Sequence, residues 1–298
     1  MQIPRPLTKG DTVAVTATSG ICNTEKLENG VQKLKDLGLQ VKVMDSCYAS
    51  HGSYLAGEDS LRLNDLHAAF ADKSIKGIFA ARGGYGAARL LPCLNYELIR
   101  RNPKIFVGFS DVTALHIVLN QFCGLATFHG PMPASCGSNF TVGWAFHLPA
   151  AALYPGRAAG ILTGGNLSII ASTLGTPYEI KTRGRILFLE ETKEEPYRVD
   201  RLLLQLKLAG KFKDAAGIAF GDFSPESLDT LHTAIQELVI SERKPAIWGL
   251  PCGHTTPNIT LPLGQTVTLL SQGLQTETLH PLPYLRMPQN RLFCQTMS

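Results

Sequence analysis

The sequence predicts an α/β protein in two parts, a parallel sheet covered by helices and then a smaller mixed α+β domain. Three observations carry this. Short apolar strands alternate with helical patterns through the first half, the order that builds a parallel sheet with helices on both faces. The pattern breaks after His129-Gly130-Pro131. A chain of 298 residues with 44% hydrophobic content can bury one or two cores, which excludes disordered and collagen-like classes.

"TVAVTA" at residues 12–17 is the first strand, and a helix fits residues 24–37, with Asn23 or Thr24 as N-cap and Gly38 just past its end. "QVKVMD" follows as a strand. Leu61, Leu63, Leu66, Ala69 and Phe70 recur near a helical period over residues 58–71. "GIFAA" and "KIFVGF" return as buried strands, and the second runs straight into Ser110 and another helical pattern. Residues 1–135 thus form the first domain. "NFTVGWAFHLPAAALYPGRAAG" lacks periodicity, so residues 136–159 read as a linker. Residues 160–298 hold a Gly-rich turn, a helix at 167–174, the strand "RGRILFLE" and a helix at 198–208. The strand "GIAFGDF", a helix at 228–240 and strands around "ITLPLGQTVTLL" complete this mixed domain.

Composition narrows the function classes. Lys plus Arg number 28 and Asp plus Glu 24, so the net charge is 28 − 24 = +4, scattered without a basic stripe. No nucleic-acid partner is expected. Residues 112–156 carry no Asp, Glu, Lys or Arg, yet Asn120, Gln121, His129, Pro131, Pro133 and several glycines interrupt the run, so no membrane span is expected. "MQIPRPLTKGD" lacks the apolar core of an export signal, which points to the cytoplasm. The seven cysteines, Cys22, Cys47, Cys93, Cys123, Cys136, Cys252 and Cys294, are odd in number and form no C-x-x-C pair; they read as reduced thiols. Neither metal nor cofactor is implied.

Four places could carry chemistry. In "KIFVGFSDVTALHIVL", Ser110 sits where a strand ends and a helix begins, at the sheet edge where open α/β folds bind ligands. A hydroxyl there is exposed beside backbone N–H groups, as in a nucleophile elbow, although the second glycine of G-x-S-x-G is missing. The competing reading is that Ser110 or Asp111 caps the helix. "ARGGYGAARLL" has two adjacent glycines that allow close backbone approach to an anion, or simply a tight turn. Glu190 and Glu191 end one strand, and alternation lets only one face a given site, while Glu194 and Glu195 read as solvated charges. His254 follows a glycine in "GLPCGHTTPNITLPLG", where it can act as a base or merely hold a turn.

Taken in order, "RGGYGAARLL", "VGFSDVTALH", "TFHGPM", "LTGGNLS", "LGTPYEI", "ILFLEE…PYRVDRLLLQLKLAG", "GDF" and "GHTTPNITLPLG" resemble the LD-carboxypeptidase family. These are serine peptidases that include cytoplasmic murein tetrapeptide carboxypeptidases and microcin C self-immunity hydrolases. The resemblance spans roughly residues 6–270. It implies Ser110 as nucleophile, His254 as general base and then acid, and Glu190 orienting the imidazole. With those roles, the N–H groups of Asp111 and of the Gly83-Gly84 turn form the oxyanion hole. The expected architecture is a flavodoxin-like or amidotransferase-like first domain joined to the mixed second one, with the site between them.

The implied substrate is a small peptide, a muropeptide tetrapeptide cut between an L-centre and its terminal D-alanine in peptidoglycan recycling; a homodimer is also implied. The alternatives are hydrolysis of peptidyl or aminoacyl nucleotides, as in the microcin C branch, and a catalytically silent muropeptide-binding protein. Two features depart from the family pattern. Glu191 follows Glu190 where relatives commonly have aspartate, and the tail "PYLRMPQNRLFCQTMS" matches nothing in the family.

Overall fold

Runs of β-branched and aromatic residues, buried on both sides, form the first sheet. Val13, Val15, Phe79, Ile105 and Val107 pack to one face, while Ala14, Ile78, Ala80 and Phe106 pack to the other. This alternation with both faces covered is the signature of a parallel sheet between helix layers. The computed structural model describes residues 1–137, 145–223 and 228–276. Its first sheet holds β1 (Thr12–Thr16), β2 (Gln40–Val43), β3 (Ile75–Ala80), β4 (Ile105–Gly108) and β5 (Thr127–His129), all parallel. Their order, β2-β1-β3-β4-β5, is that of the flavodoxin-like doubly wound fold.

Helix Thr24–Asp36 covers one face through Leu27 and Leu34, and the Asn23 side chain caps it by accepting from the Lys26 N–H at 2.9 Å. Helices Asp59–Ala71, Tyr96–Arg101 and Thr113–Cys123 cover the other through Phe70, Ile99, Leu115 and Val118. Truncating a buried side chain such as Phe106 to Ala costs ~3–5 kcal/mol, so these layers hold the strand ends rigidly.

The second sheet holds β6 (His147–Pro149), β7 (Ala151–Tyr154), β8 (Arg157–Asn166), β9 (Ile186–Glu191), β10 (Gly217–Phe223) and β11 (Ala246–Trp248), with β13 (Thr266–Leu270) and β14 (Gly273–Thr276). The order is β6-β14-β13-β8-β9-β10-β11-β7. Strands β8 to β11 are parallel and the outer pairings antiparallel, which makes the sheet mixed.

Two features differ from the sequence reading. Within residues 136–159, read as a linker, β6 and β7 form the two edges of the second sheet, and residues 138–144 lie outside the described residues. These strands are three and four residues long, too short for a period-2 pattern to register. In addition, β12 (Leu261–Leu263) pairs antiparallel with β5, so the C-terminal half supplies an edge strand to the first sheet. Residues 277–298, with the unmatched tail and Cys294, lie outside the described residues.

Candidate active site

Strand β4 ends at Gly108, Phe109 stays extended, and Ser110 turns the chain with φ of 62°. A left-handed conformation costs an L-residue roughly 1–2 kcal/mol, so packing must impose it. Ser110 to Val112 then form a single 3₁₀ turn that leads into helix Thr113–Cys123. Neither Ser110 nor Asp111 caps these helices through its side chain. Asp111 instead accepts from the Ala87 N–H at 2.8 Å, and burial pushes its carboxyl above the ordinary range. The corner is thereby tied to the Gly83-Gly84 loop.

That loop presses directly on the serine. A Cβ on Gly83 would lie 2.9 Å from Ser110 Cβ and 3.0 Å from its Oγ, so only glycine leaves the hydroxyl room. The Gly83 carbonyl accepts from the Gly20 N–H and from Arg82 Nε, both at 3.1 Å. A trans peptide points its C=O and N–H in opposite directions. The Gly84 N–H, which shares that peptide unit, therefore points away from Gly20. Behind the loop, fully buried Arg62 donates to the carbonyls of Thr18 and Gly86 at 2.6 and 3.0 Å and pairs with Asp59.

The two carboxylates ending β9 are both buried but face different partners. Glu191 Oε1 accepts from Asn166 Nδ2 at 3.0 Å and the Thr192 N–H at 2.9 Å, while its Oε2 accepts from the Ser168 N–H at 2.8 Å and Ser168 Oγ at 2.6 Å. Glu190 Oε2 meets His254 Nδ1 at 2.7 Å. Gly253 makes this approach possible, because a Cβ there would sit 2.9 Å from Glu190 Oε2. Asn258 Oδ1 holds the turn by accepting from the Gly253 N–H at 3.0 Å.

Burial alone raises the Glu190 carboxyl, but the imidazoles of His129 and His254 outweigh it and hold the group down to about 2. Burial, followed by the Glu190 charge, pushes neighbouring Asp222 up and the Cys252 thiol well up.

The His254 ring packs 4.9 Å from the ring of Phe109, the residue before Ser110. The imidazole is thereby held beside the serine corner. Its side chain is 24% exposed, whereas Glu190 is fully buried. Gly83, Gly84, Ser110 and His254 line one cleft of about 850 Å³, and its polar wall carries the basic Lys26, Arg82 and Lys193 against the single acidic Glu25. Glu194 stays apart and pairs with Arg198 at 3.6 Å. Among the described residues, no group of three or more His, Cys, Asp or Glu side chains is placed to hold a metal ion.

Sequence reasoning passed over His129, whose ring is fully buried with Nε2 at 3.8 Å from Glu190 Oε1. The sequence carried only a weak signal. "TFHGPM" ends a strand at the same sheet edge as "VGFS", and Gly108 and His129 are register partners.

Residues 13–130 match the LD-carboxypeptidase N-terminal domain, and residues 159–269 match the LD-carboxypeptidase C-terminal domain. A probable murein peptide carboxypeptidase from Bacillus subtilis is 43% identical over 286 residues, covering 88% of this chain and 89% of that one. Among solved structures, an MccF-like protein from Bacillus anthracis superposes with a TM-score of 0.80 at 28% identity, covering 92% of this chain and 98% of that one. A muramoyltetrapeptide carboxypeptidase from Oxalobacter formigenes gives 0.79 at 29% identity, covering 89% and 97%.

Proposed function

The chain belongs to the LD-carboxypeptidase family, and from that premise we propose that it is a serine carboxypeptidase that removes the terminal D-alanine from muropeptide tetrapeptides. The observation that carries the reading is the fully buried Glu190, 2.7 Å from His254 Nδ1, with the imidazole tilted against Phe109, the residue before Ser110. A serine hydroxyl is a weak nucleophile until a base takes its proton, and the base needs a third group to fix its tautomer. Glu190 holds the proton on Nδ1, which leaves Nε2 basic.

Ser110 Oγ attacks the carbonyl carbon of the scissile amide and His254 takes the proton. The carbonyl oxygen becomes an oxyanion, to which the N–H groups of Gly84 and Asp111 donate. His254 then protonates the departing D-alanine amine. Water, activated by the same imidazole, releases the acyl group from Ser110. The basic wall formed by Lys26, Arg82 and Lys193 suits a substrate that carries carboxylates.

Hydrolysis of a peptidyl or aminoacyl nucleotide is the second reading, supported by the likeness to the MccF-like protein. Incubation with murein tetrapeptide and with microcin-type substrates, followed by mass analysis of the products, tests both. Loss of one alanine from the tetrapeptide is the expected result, and selective cleavage of the nucleotide substrate would replace the first reading with the second. A cytoplasmic homodimer completes the proposal. No helix among the described residues is long and apolar enough to cross a membrane, and light scattering on the eluted protein tests the dimer.

A further inference from the structure

His129 has no part in the chemistry above, yet its surroundings are unusual for a core histidine. It ends β5, paired in register with Gly108 on β4 and with Leu261 on β12, so it rides on the sheet that carries Ser110. Its ring is fully buried among Phe188 at 5.1 Å, Phe109 at 5.8 Å and His116 at 6.4 Å, measured between ring centroids. His116 offers it nothing. That ring is engaged with the Gly108 carbonyl at 2.8 Å and Thr127 Oγ1 at 2.9 Å.

Neither ring nitrogen of His129 has a hydrogen-bond partner. Leaving a buried polar group unpaired is costly, and each such group in a folded protein calls for a reason. A leucine or phenylalanine would fill an aromatic cage without that cost. The reason lies across the junction of the two sheets. Glu190 Oε1 is also buried without a partner, since Oε2 is taken by His254. His129 Nε2 faces that oxygen at 3.8 Å, about 1 Å beyond an ordinary N–H···O bond. A donor and an acceptor, both orphaned, therefore confront each other.

We propose that His129 is a positioning residue, which donates its Nε2–H to Glu190 Oε1 and clamps the carboxylate from the side opposite His254. The line of groups then runs Ser110, His254, Glu190, His129, with its ends on the first sheet and Glu190 on the second. The clamp does two things. It fixes the carboxylate plane so that Oε2 stays on His254 Nδ1, and it sets the spacing between the sheet that bears the nucleophile and the strand that bears its orienting group. The titratable groups facing Glu190 are His254, His129, Asp222 on β10 and Cys252 in the loop before His254. Of these, only the two imidazoles favour its ionised form. Loss of the His129 donor thus makes Glu190 easier to protonate.

The inference rests on the triad reading, so the test begins with a readout that needs no turnover. In wild-type protein labelled with ¹⁵N-histidine, His129 should be the Nε2–H tautomer, and the His254 Nδ1–H should resonate at low field. The Nδ1–H tautomer at His129 would overturn the proposal without any variant. His129→Phe fills the cage but removes the donor, whereas the amide of His129→Gln reaches the position of Nε2. With folding checked by circular dichroism, His129→Phe should shift or lose the low-field resonance and raise the pH at which it disappears on acidification. His129→Gln should keep both near wild type.

On tetrapeptide, His129→Phe should lower kcat about 10- to 100-fold, by analogy with the loss of a residue that orients a metal ligand from behind. KM should stay within about 2-fold, and His129→Gln should recover most of the rate. A folded His129→Phe with wild-type kcat and resonance defeats the proposal, as does a His129→Gln equally damaged in both. If wild type cleaves no tetrapeptide while the His254 and His129 resonances behave as described, the substrate assignment fails and the clamp stands.

Discussion

At the Ser110 corner the backbone does the positioning, whereas at the end of β9 side chains do it. The serine is held by a left-handed φ of 62°, by the missing Cβ of Gly83 and by the Asp111 tie to Ala87. Across the cleft, Glu190 and Glu191 share one extended strand, and only the groups that meet each carboxylate separate them. The contrast bears on function. A strained corner presents one atom with little freedom, while a strand end offers two alternating directions and lets tertiary partners decide which becomes an orienting group and which a strut.

The largest effect should come from removing the atom that the corner presents. Ser110→Ala should fold and lose measurable turnover of a D-alanine-terminated tetrapeptide. Any capping loss is bounded at ~1 kcal/mol, and no side-chain cap is made here. Ser110→Gly should be equally inactive but more stable than Ser110→Ala by about 1 kcal/mol, because glycine accepts a positive φ without strain. Chemical denaturation of the two variants measures that difference. Retained activity in either would withdraw the nucleophile assignment.

Next comes the side-chain half of the comparison. Glu190→Gln keeps the shape but lets the amide stabilise the wrong imidazole tautomer, a change that costs ~10⁴-fold in a well-studied serine protease. Its stability effect should depend on pH. The imidazoles hold the folded Glu190 carboxyl down from its ordinary 4.5 to about 2 against its burial. A depressed carboxyl contributes stability that is fully present above the unfolded value and is lost as pH falls through the folded one. The gap in melting temperature between wild type and Glu190→Gln should therefore be widest above about pH 4.5 and should narrow towards pH 2. A gap independent of pH would contradict an ionised Glu190.

A smaller loss should follow from disturbing the corner without touching its chemistry. The Cβ of Gly83→Ala would fall 2.9 Å from Ser110 Cβ, so the serine or the loop must yield by a fraction of an ångström. A misplacement of about 1 Å can cost ~10²-fold. The expected outcome is a folded enzyme whose kcat falls by about that factor or less. Unchanged kcat would mean that the loop, not the serine, absorbs the clash.

Legibility in the sequence followed the same division. Strand β4, the serine corner and the helix behind it could be read locally, because a β-branched run meeting a helical period leaves little choice for Phe109 and Ser110. Strands β5, β6 and β7 could not, since three or four residues carry no period. The attachment of β12 to β5 was also invisible, because antiparallel pairing across the two halves is a tertiary event. Alternation separated Glu190 from Glu191 but could not say which met a histidine; the family resemblance supplied that choice. His129 was missed because its only strong signal, two unpaired ring nitrogens beside a carboxylate, exists in the folded chain alone.

The smallest effect on turnover should come from Glu191, and it sharpens the comparison most. Its four donors come from Asn166, Ser168 and Thr192, so the carboxylate ties the end of β8 and the start of helix Leu167–Ser172 to β9. The length of the Glu191 side chain carries Oε2 out to the Ser168 N–H at 2.8 Å. Glu191→Gln keeps one acceptor oxygen and turns the other into a donor. If the amide nitrogen faces Ser168, the hydroxyl can rotate to accept from it, but the Ser168 N–H is left without a partner. Losing one hydrogen bond to a charged group costs about 1.5–3 kcal/mol. Glu191→Gln should therefore melt earlier by that measure while keeping kcat within a few-fold of wild type. The two neighbouring variants then part by rate, which Glu190→Gln loses and Glu191→Gln keeps. If Glu191→Gln instead loses rate while Glu190→Gln keeps it, the orienting role passes to the other face of β9 and the contact between Glu190 and His254 has no catalytic meaning.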